Sequence, residues 1–257
     1  CLWRGYLYLA YREAQNHGIY PPGTIVLLRA FLGQTFNGRV QFSRSHTLHT
    51  GGDDRDPKLF DAGTRGLGVL WGTYYPRWQW TWGAHNSLPG KTVDLISHSA
   101  YSRDGRVWSP NYQMYRPGYW VWSVCHQEAS APPPIHYGPV LPPIYYGAAY
   151  HFGDGQADSS HSIHLLRSSN GINWSAYTDI LGETFGRGRS PSEPTLCIID
   201  STTMGCLIRQ ETAGLIATVA KSPYWTWRQT EMAECIHAPA IAHTPHGWIL
   251  AGRRYRE

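Results

Sequence analysis

The feature that most constrains this chain is a short pattern that occurs twice. Residues 102–108 and 168–174 both read Ser-x-Asp/Asn-Gly-x-x-Trp, and each follows a strand-like run. Ser and Asp or Asn side chains bond to their own backbone to close a turn, and glycine permits the positive φ that the turn needs. The tryptophan then anchors the turn between strands. The pattern therefore predicts a hairpin in an antiparallel sheet.

Two degenerate copies, residues 29–36 and 222–227, extend the pattern to four. Their intervals suit a four-stranded sheet with loops, the unit of a propeller blade. With 27 Gly, 18 Pro, 12 Trp and 17 Tyr against 6 Phe, the composition favours strands and turns over helices. The sequence predicts an all-β fold, a single β-propeller domain of four-stranded antiparallel blades.

The predicted blades span residues 1–45, 46–117, 118–182 and 183–235, with a partial blade at 236–257. Because both ends fall at second strands, either a six-bladed parent is incomplete here or a five-bladed ring closes with irregular ends.

A second repeat consists of small, apolar strands that end in arginine or tyrosine. They cover residues 7–12, 69–74, 145–150, 205–209 and 248–253. In blade order these are second strands, whose ends would meet at the mouth of the central channel. Arg12, Tyr150 and Arg253 are therefore predicted to contact substrate.

The Ser-x-Asp-Gly-x-x-Trp turns resemble the Asp-box, or bacterial neuraminidase repeat, of sialidase-type propellers. In that family the box joins the third and fourth strands of a blade. Residues 192–199 and 204–209 resemble the stretch in which Asn-Glu-Pro opens an inner strand and Arg ends the next. The resemblance implies that Glu193 is the base for a tyrosine nucleophile and that Arg209 grips a substrate carboxylate. A purely structural ion pair between them is the alternative.

The loop after Arg12 lacks the aspartate that serves the family as acid/base. His17 is the group there that can donate a proton near neutral pH, unless it is a surface histidine without a role. Residues 53–57, Asp-Asp-Arg-Asp-Pro, open the predicted inner strand of blade two. Asp56 or Asp54 is an alternative proton donor, since crowded carboxylates raise one pKa. Arg55, beside them, is predicted to contact substrate. The alternative is a solvated turn that Arg55 neutralises.

Aromatic clusters at residues 78–82 and 119–122, including Trp122, either stack on sugar rings or pack blade against blade. His126 and Glu128, placed at the start of a channel strand, are expected to line the pocket.

Several classes of protein are disfavoured. The net charge of +4 is spread over scattered arginines, so no nucleic-acid partner is expected. The five cysteines form no CxxC pair, and neither HExxH nor GxGxxG occurs, so no metal or cofactor is expected. No apolar run approaches the roughly 20 residues of a membrane span, which predicts a soluble protein, secreted or cytoplasmic.

The sequence therefore predicts a sialidase-like glycoside hydrolase whose partner is a carbohydrate with an acidic or other terminal sugar. Two alternatives are a non-catalytic, lectin-like propeller and a scaffold for protein partners.

Overall fold

A computed structural model describes residues 1–18, 20–33, 35–36, 38–75, 94–127, 144–151, 162–182, 190–211, 213–244 and 246–254. Across these ranges the chain forms twenty strands and one 3-10 helix, Gly63–Arg65. The chain is all-β, with the four-stranded antiparallel blades of a β-propeller, which confirms the predicted fold class. It divides into two compact units, Cys1–Gly118 and Tyr119–Glu257.

The first unit holds two blades. Blade one, in spatial order, consists of β1 (Leu2–Trp3), β2 (Tyr6–Glu13), β3 (Thr24–Phe31) and β6 (Ser43–Leu48), with a small hairpin of β4 (Thr35–Phe36) and β5 (Arg39–Val40) between the last two. Blade two consists of β7 (Asp53–Asp61), β8 (Leu67–Tyr75), β9 (Asp94–Ser102) and β10 (Tyr112–Met114). Because β1 pairs with β2, blade one starts with a short first strand, whereas the sequence predicted a start at the second.

The second unit holds two further blades and a strand pair. Blade three consists of β11 (Tyr119–Gln127), β12 (Ile144–His151), β13 (Ile163–Ser168) and β14 (Ser175–Leu181). Blade four consists of β15 (Ser192–Ile198), β16 (Thr203–Arg209), β17 (Ile216–Lys221) and β18 (Arg228–Glu231). The strands β19 (Ile236–Thr244) and β20 (Gly247–Arg254) form a two-stranded sheet, the fifth sheet.

All four predicted turn segments join the third and fourth strands of their blades. In blade two, Asp104 Oδ1 accepts hydrogen bonds from the backbone N–H groups of Arg106 and Val107, both at 2.8 Å. In blade three, Asn170 Oδ1 accepts the same pair of bonds, from Ile172 at 2.9 Å and Asn173 at 2.8 Å. One side-chain oxygen thus closes each turn, as the sequence pattern predicted.

The turn of blade two also links the two blades of the first unit. Ser45 Oγ, on β6, donates a hydrogen bond to the Gly105 carbonyl at 2.6 Å. A Cβ on Gly105 would lie 1.9 Å from the Tyr8 hydroxyl, and its φ of +69° already requires glycine. Trp108 then packs in a core cluster whose members come from both blades: Tyr8, Ile25, Leu27, Leu48, Leu67, Val69, Trp71 and Ala100.

In blade three the equivalent tryptophan packs within its own sheet. Trp174 Nε1 donates to the Gly171 carbonyl at 3.0 Å, and a Cβ on Gly147 would come within 3.2 Å of the Trp174 ring. Glycine on the second strand therefore makes room for the tryptophan that follows the turn. Among the residues described, no helix is long and apolar enough to cross a bilayer.

Candidate functional site

Three first strands, β7, β15 and β19, contain the same β-bulge. Each bulge centres on a residue followed by proline: Asp56–Pro57, Glu193–Pro194 and Ala238–Pro239. The residue before proline has positive φ in all three, at 49°, 51° and 49°. Non-glycine residues at positive φ are uncommon and gather at functional sites, at a cost on the order of 1–3 kcal/mol each. The three positions are therefore structurally equivalent.

Glu193 is held at both carboxylate oxygens. Its Oε1 accepts a hydrogen bond from Arg209 Nη1 at 2.7 Å, and its Oε2 accepts one from the Ala238 backbone N–H at 2.6 Å. Only 7% of the residue is exposed. A second Arg209 nitrogen, Nη2, donates to Glu211 Oε2 at 2.6 Å at the solvent side. The structure thus brings together the two residues that the sequence paired, and fixes the orientation of the carboxylate.

Hydroxyl groups of neighbouring blades hold the backbone just after each bulge in the second unit. Ser123 Oγ, on β11, donates to the Pro194 carbonyl at 2.7 Å and accepts from the Leu196 N–H at 2.9 Å. Thr195 Oγ1, on β15, donates to the Pro239 carbonyl at 2.6 Å. Blade three therefore supports the strained backbone at Glu193, and blade four supports the strained backbone at Ala238.

Next to Ala238 lie two groups that the sequence analysis did not single out. The Cys235 Sγ lies 3.6 Å from Nε2 of His237, which is 6% exposed. His237 pairs with Arg253 across β19 and β20, and Arg253 is exposed. The sequence signal that could have found Ala238 is the proline that follows it, because a proline also follows Glu193.

In the first unit, Asp53 binds both arginines that were predicted to contact substrate. This buried carboxylate accepts hydrogen bonds from Arg12 Nη2 and the Gly23 N–H, both at 2.7 Å, and from Arg55 Nε. Arg12 also donates to the carbonyls of residues 16 and 18, and Arg55 Nη2 donates to the His17 carbonyl. These arginines hold the loop against blade two, because Asp53 and loop carbonyls accept hydrogen bonds from Arg12 and from Nε and Nη2 of Arg55. A contact of either arginine with substrate stays a prediction.

Asp54 is also buried and enclosed by donors. Its carboxylate accepts from Thr50 Oγ1 at 2.6 Å, Thr73 Oγ1 at 2.7 Å and Trp71 Nε1 at 3.0 Å, and lies 3.1 Å from His49 Nδ1. The interpretation of this segment as a solvated turn is therefore wrong. Asp56, at the bulge, is the carboxylate of the segment that faces solvent, and His17 is also exposed.

Trp122 and Tyr150 lie in a packed aromatic cluster of blade three. Each is 3% exposed, and their ring centroids are 6.0 Å apart. Tyr150 also stacks on Trp120, with centroids 6.2 Å apart and an interplanar angle of 3°. Neither ring has a face available to a sugar in this arrangement, which favours the packing interpretation over the predicted contact with substrate.

His126 lies at the opposite end of blade three from Tyr150. It pairs with Tyr145, at the start of β12, whereas Tyr150 near the end of β12 pairs with Trp120. His126 was expected at the start of a channel strand, but β11 already begins at Tyr119, so His126 is its penultimate residue. Its contact with substrate stays a prediction. Glu128 and residues 78–82 lie outside the described residues.

Tyrosine pKa shifts bear on the expected nucleophile. Burial raises the pKa of Tyr74 to about 12, although the Arg55 guanidinium opposes it, and burial likewise raises the pKa of Tyr146 to about 12. Tyr75 and Tyr224 shift in the same direction for the same reason. A nucleophilic phenol needs an adjacent base or a lowered pKa. The shifted tyrosines in the described part of the chain are all harder to ionise.

The described residues contain no group of three or more His, Cys, Asp or Glu side chains arranged to hold a metal ion.

No family model and no curated protein matches the sequence, but solved structures match the fold. A protein of unknown function from Dyadobacter fermentans DSM 18053 superposes with a TM-score of 0.63 at 18% identity, over 94% of this chain and 70% of that one. The Bombyx mori GH32 β-fructofuranosidase BmSUC1 has a TM-score of 0.57 at 11% identity, over 98% of this chain and 53% of that one. A thermostable family-43 glycoside hydrolase has a TM-score of 0.55 at 13% identity, over 90% and 73%.

This chain has a propeller fold that glycoside hydrolases share. At these identities the likeness concerns the fold alone, and the chain spans about half the length of the β-fructofuranosidase.

Proposed function

We propose that the chain is a glycoside hydrolase that binds carbohydrate through Glu193 and Arg209. The observation that carries the proposal is the state of Glu193: a nearly buried carboxylate at positive φ, held at both oxygens, in a fold shared with two glycoside hydrolases. Strain of this kind persists only where surrounding contacts determine it, and it concentrates at active sites.

Glycoside hydrolysis needs carboxyl groups that move a proton and stabilise an oxocarbenium-like transition state. Glu193 suits these tasks because its carboxylate is fixed in place before substrate arrives, so little reorganisation is required. Arg209 fixes that orientation and presents a positive charge at the same point. The sialidase mechanism also requires an ionisable tyrosine, and the raised tyrosine pKa values give it no support. We therefore propose carboxylate chemistry without a tyrosine nucleophile.

Asp56, in the first unit, stays a prediction as a proton donor. It occupies the bulge position equivalent to Glu193, it is exposed, and its neighbours Asp53 and Asp54 are committed to structural hydrogen bonds. His17 stays a prediction as a proton donor, supported by its exposed position in the loop that Arg12 holds.

The test is turnover of a panel of 4-methylumbelliferyl glycosides that includes neutral sugars, uronides and a sialoside. Glu193→Gln should lower kcat on the accepted substrate by about 10²–10⁴, the range for loss of acid-base catalysis. Glu211→Gln is the matched control, because Glu211 also binds Arg209 but is exposed, and it should leave kcat nearly unchanged. Unchanged turnover in Glu193→Gln would remove Glu193 from the mechanism.

Asp56→Asn should lower kcat by about 10² or more. Its control is Asp61→Asn, at the far end of the same strand, where the exposed carboxylate accepts a hydrogen bond from the Gly63 N–H. Equal activities of the two variants would show that Asp56 takes no part in the reaction.

A lectin-like propeller is the second candidate, and one observation favours it. Both oxygens of Glu193 are already occupied, as they would be in a carboxylate that only orients Arg209 toward a ligand. Binding on a glycan array without turnover of any fluorogenic glycoside, with binding reduced in Arg209→Ala, would establish the lectin.

A further inference from the structure

The imidazole of His49 is held by a buried carboxylate in the first unit. Its Nδ1 lies 3.1 Å from Asp54 Oδ2. The Asp54 side chain is fully buried, whereas 44% of the His49 side chain is exposed. His49 directly follows β6, the last strand of blade one, and Asp54 belongs to β7, the first strand of blade two. The pair therefore joins a solvent-facing ring to a carboxylate inside the unit.

Four other hydrogen bonds fix the Asp54 carboxylate. Its Oδ1 accepts from Thr50 Oγ1 at 2.6 Å, from Thr73 Oγ1 at 2.7 Å and from Trp71 Nε1 at 3.0 Å. Its Oδ2 accepts from the Thr50 backbone N–H at 3.0 Å. Because these donors belong both to the loop before β7 and to β8, the carboxylate cannot turn away from His49.

This arrangement decides which ring nitrogen of His49 carries the proton. An ionised carboxylate accepts hydrogen bonds and donates none, so the neutral imidazole has its proton on Nδ1 and its lone pair on Nε2. Across the described ranges, no other hydrogen bond involves the His49 ring. Asn111 Nδ2 also donates to the His49 carbonyl at 3.2 Å, which holds the backbone of the residue. Nε2 is therefore free to accept a proton from a bound molecule.

An imidazole bound in this way is suited to general-base catalysis. The carboxylate sets the tautomer of the ring and stabilises the imidazolium that forms when Nε2 takes a proton. The ordinary pKa of histidine lies near neutral pH, where a general base for ester hydrolysis is most effective. Glycoside hydrolysis, in contrast, uses carboxyl groups as acid and base. The chemistry of the pair therefore favours esters over glycosides as its substrates.

We propose that His49, positioned by Asp54, is the general base of an esterase site that hydrolyses carboxylic esters of alcohols. Nε2 takes a proton from water while the water oxygen bonds to the acyl carbon. The tetrahedral intermediate then breaks its bond to the alkoxide, which receives that proton from the imidazolium. A carboxylic acid and an alcohol leave, and His49 is neutral again. The site uses neither Glu193 nor Asp56, so this inference goes beyond the proposed function and does not depend on it.

The test is release of acetate from glucose pentaacetate by the whole chain, measured against a protein-free blank. The wild-type protein should release acetate, and His49→Gln should lower the rate by about 10²–10⁴, the usual contribution of general-base catalysis. His246→Gln is the matched control, because His246 is also an exposed histidine and no hydrogen bond or ion pair joins its ring to a carboxylate in the described part of the chain. It should leave the rate unchanged.

Asp54→Asn tests the positioning role of the carboxylate. The three donors at Oδ1 should keep the amide oxygen in that place, so the amide nitrogen faces His49 Nδ1 and favours the other tautomer. Acetate release should then fall although His49 is intact. Proton–nitrogen correlation spectra of protein labelled with ¹⁵N-histidine report the tautomer, and the wild type should have the proton on Nδ1 of His49. This measurement on the wild type remains decisive if Asp54→Asn fails to fold.

Three results would overturn the proposal: no acetate release by the wild type, equal rates in the wild type and His49→Gln, or a neutral His49 with its proton on Nε2. The first two would show that the pair only stabilises the loop between β6 and β7. An acetyl group found on His49 by mass spectrometry would also contradict a general base, because it would make the ring a nucleophile. None of these results bears on the turnover of glycosides, so the two proposals fail separately.

Discussion

Asp53 and Asp56 lie three residues apart on one strand and have opposite surroundings. Asp53 is fully buried and neutralised by two arginines, and removal of one member of a buried ion pair typically costs about 3–5 kcal/mol. Asp56 is exposed at a strained bulge. Residue type and spacing alone could not predict which of the two is buried. The difference arises from the bulge, which turns Asp56 away from the donors that enclose Asp53.

His98 makes the stability of the first unit depend on pH. It is 9% exposed, its Nε2 lies 3.2 Å from the Tyr75 hydroxyl, and its Nδ1 has no partner in the described part of the chain. Burial lowers the pKa of His98, and the charge of Asp54 only partly opposes this. Below about pH 6.5 the unfolded chain therefore binds a proton that the folded chain does not.

The free energy of unfolding should consequently decrease as pH falls from about 7.5 to about 5.5, by at most about 1.4 kcal/mol per pH unit from this residue. Denaturant unfolding at several pH values measures the slope. His98→Gln, which keeps a nitrogen near Tyr75, should have a shallower slope. Burial also lowers the pKa of His46, so this residue should contribute to the slope that remains in His98→Gln. Parallel curves for the wild type and His98→Gln would contradict this account.

At the scale of elements, the turn between third and fourth strands depends on one side-chain oxygen. Asp104 and Asn170 accept equivalent pairs of backbone hydrogen bonds in blades two and three. The backbone N–H groups of Val107 and Arg106 lower the pKa of Asp104, so acid should weaken this turn only below the ordinary range of an aspartate. What the turn requires near neutral pH is the acceptor, and Asn170 shows that a charge is unnecessary.

We therefore expect Asp104→Asn to leave the melting temperature within about 2 °C of the wild type, and Asp104→Ala to lower it by more. Differential scanning calorimetry near neutral pH compares the two. Asp200→Asn is a control for the loss of an exposed, hydrogen-bonded aspartate in another turn. Equal losses in Asp104→Asn and Asp104→Ala would show that the charge, and not the acceptor, closes the turn.

The elements that the sequence predicted best are those with a local cause. The turn motif needs only its own side chains and one glycine, and its position between third and fourth strands is confirmed. The predicted ends of these second strands, at Arg12, Arg209 and Arg253, agree with the structure to within one residue. The function of each arginine could not be predicted, because it depends on a partner from another strand: Asp53 for Arg12, Glu193 for Arg209 and alanine at the position beside Arg253.

Three sheets carry one bulge with three combinations of charge. Blade two has the carboxylate of Asp56 but a glycine where blade four has Arg209, since Arg55, the residue before the bulge, pairs with Gly72. Blade four has both the carboxylate and the arginine, and the fifth sheet has the arginine alone. The same bulge thus accompanies an exposed carboxylate, an internal ion pair and an exposed arginine, so the charges of a repeat can change while its backbone stays the same.

At the scale of the whole molecule, the surroundings of the five cysteines report on unfolding. Cys1 is exposed, Cys206 is buried, and Cys125, Cys197 and Cys235 are half-buried. Cys125, Cys197 and Cys206 lie on β11, β15 and β16. Burial raises the pKa of Cys125 to about 12 and raises that of Cys197 and of Cys206 as well. Since the thiolate is the reactive form, these three thiols should be inert in the folded protein.

We expect a thiol reagent such as iodoacetamide, at about pH 8, to label Cys1 and Cys235 in the native protein, and to label Cys125, Cys197 and Cys206 only as denaturant unfolds the second unit. Mass spectrometry of the labelled peptides follows each site. Because two of the three lie on paired neighbours, β15 and β16, and the third on a strand that Ser123 ties to β15, their labelling should follow a single transition. Cys1 serves as the internal control for reagent activity, and labelling of any of the three in native conditions at the rate of Cys1 would show that blades three and four open independently of global unfolding.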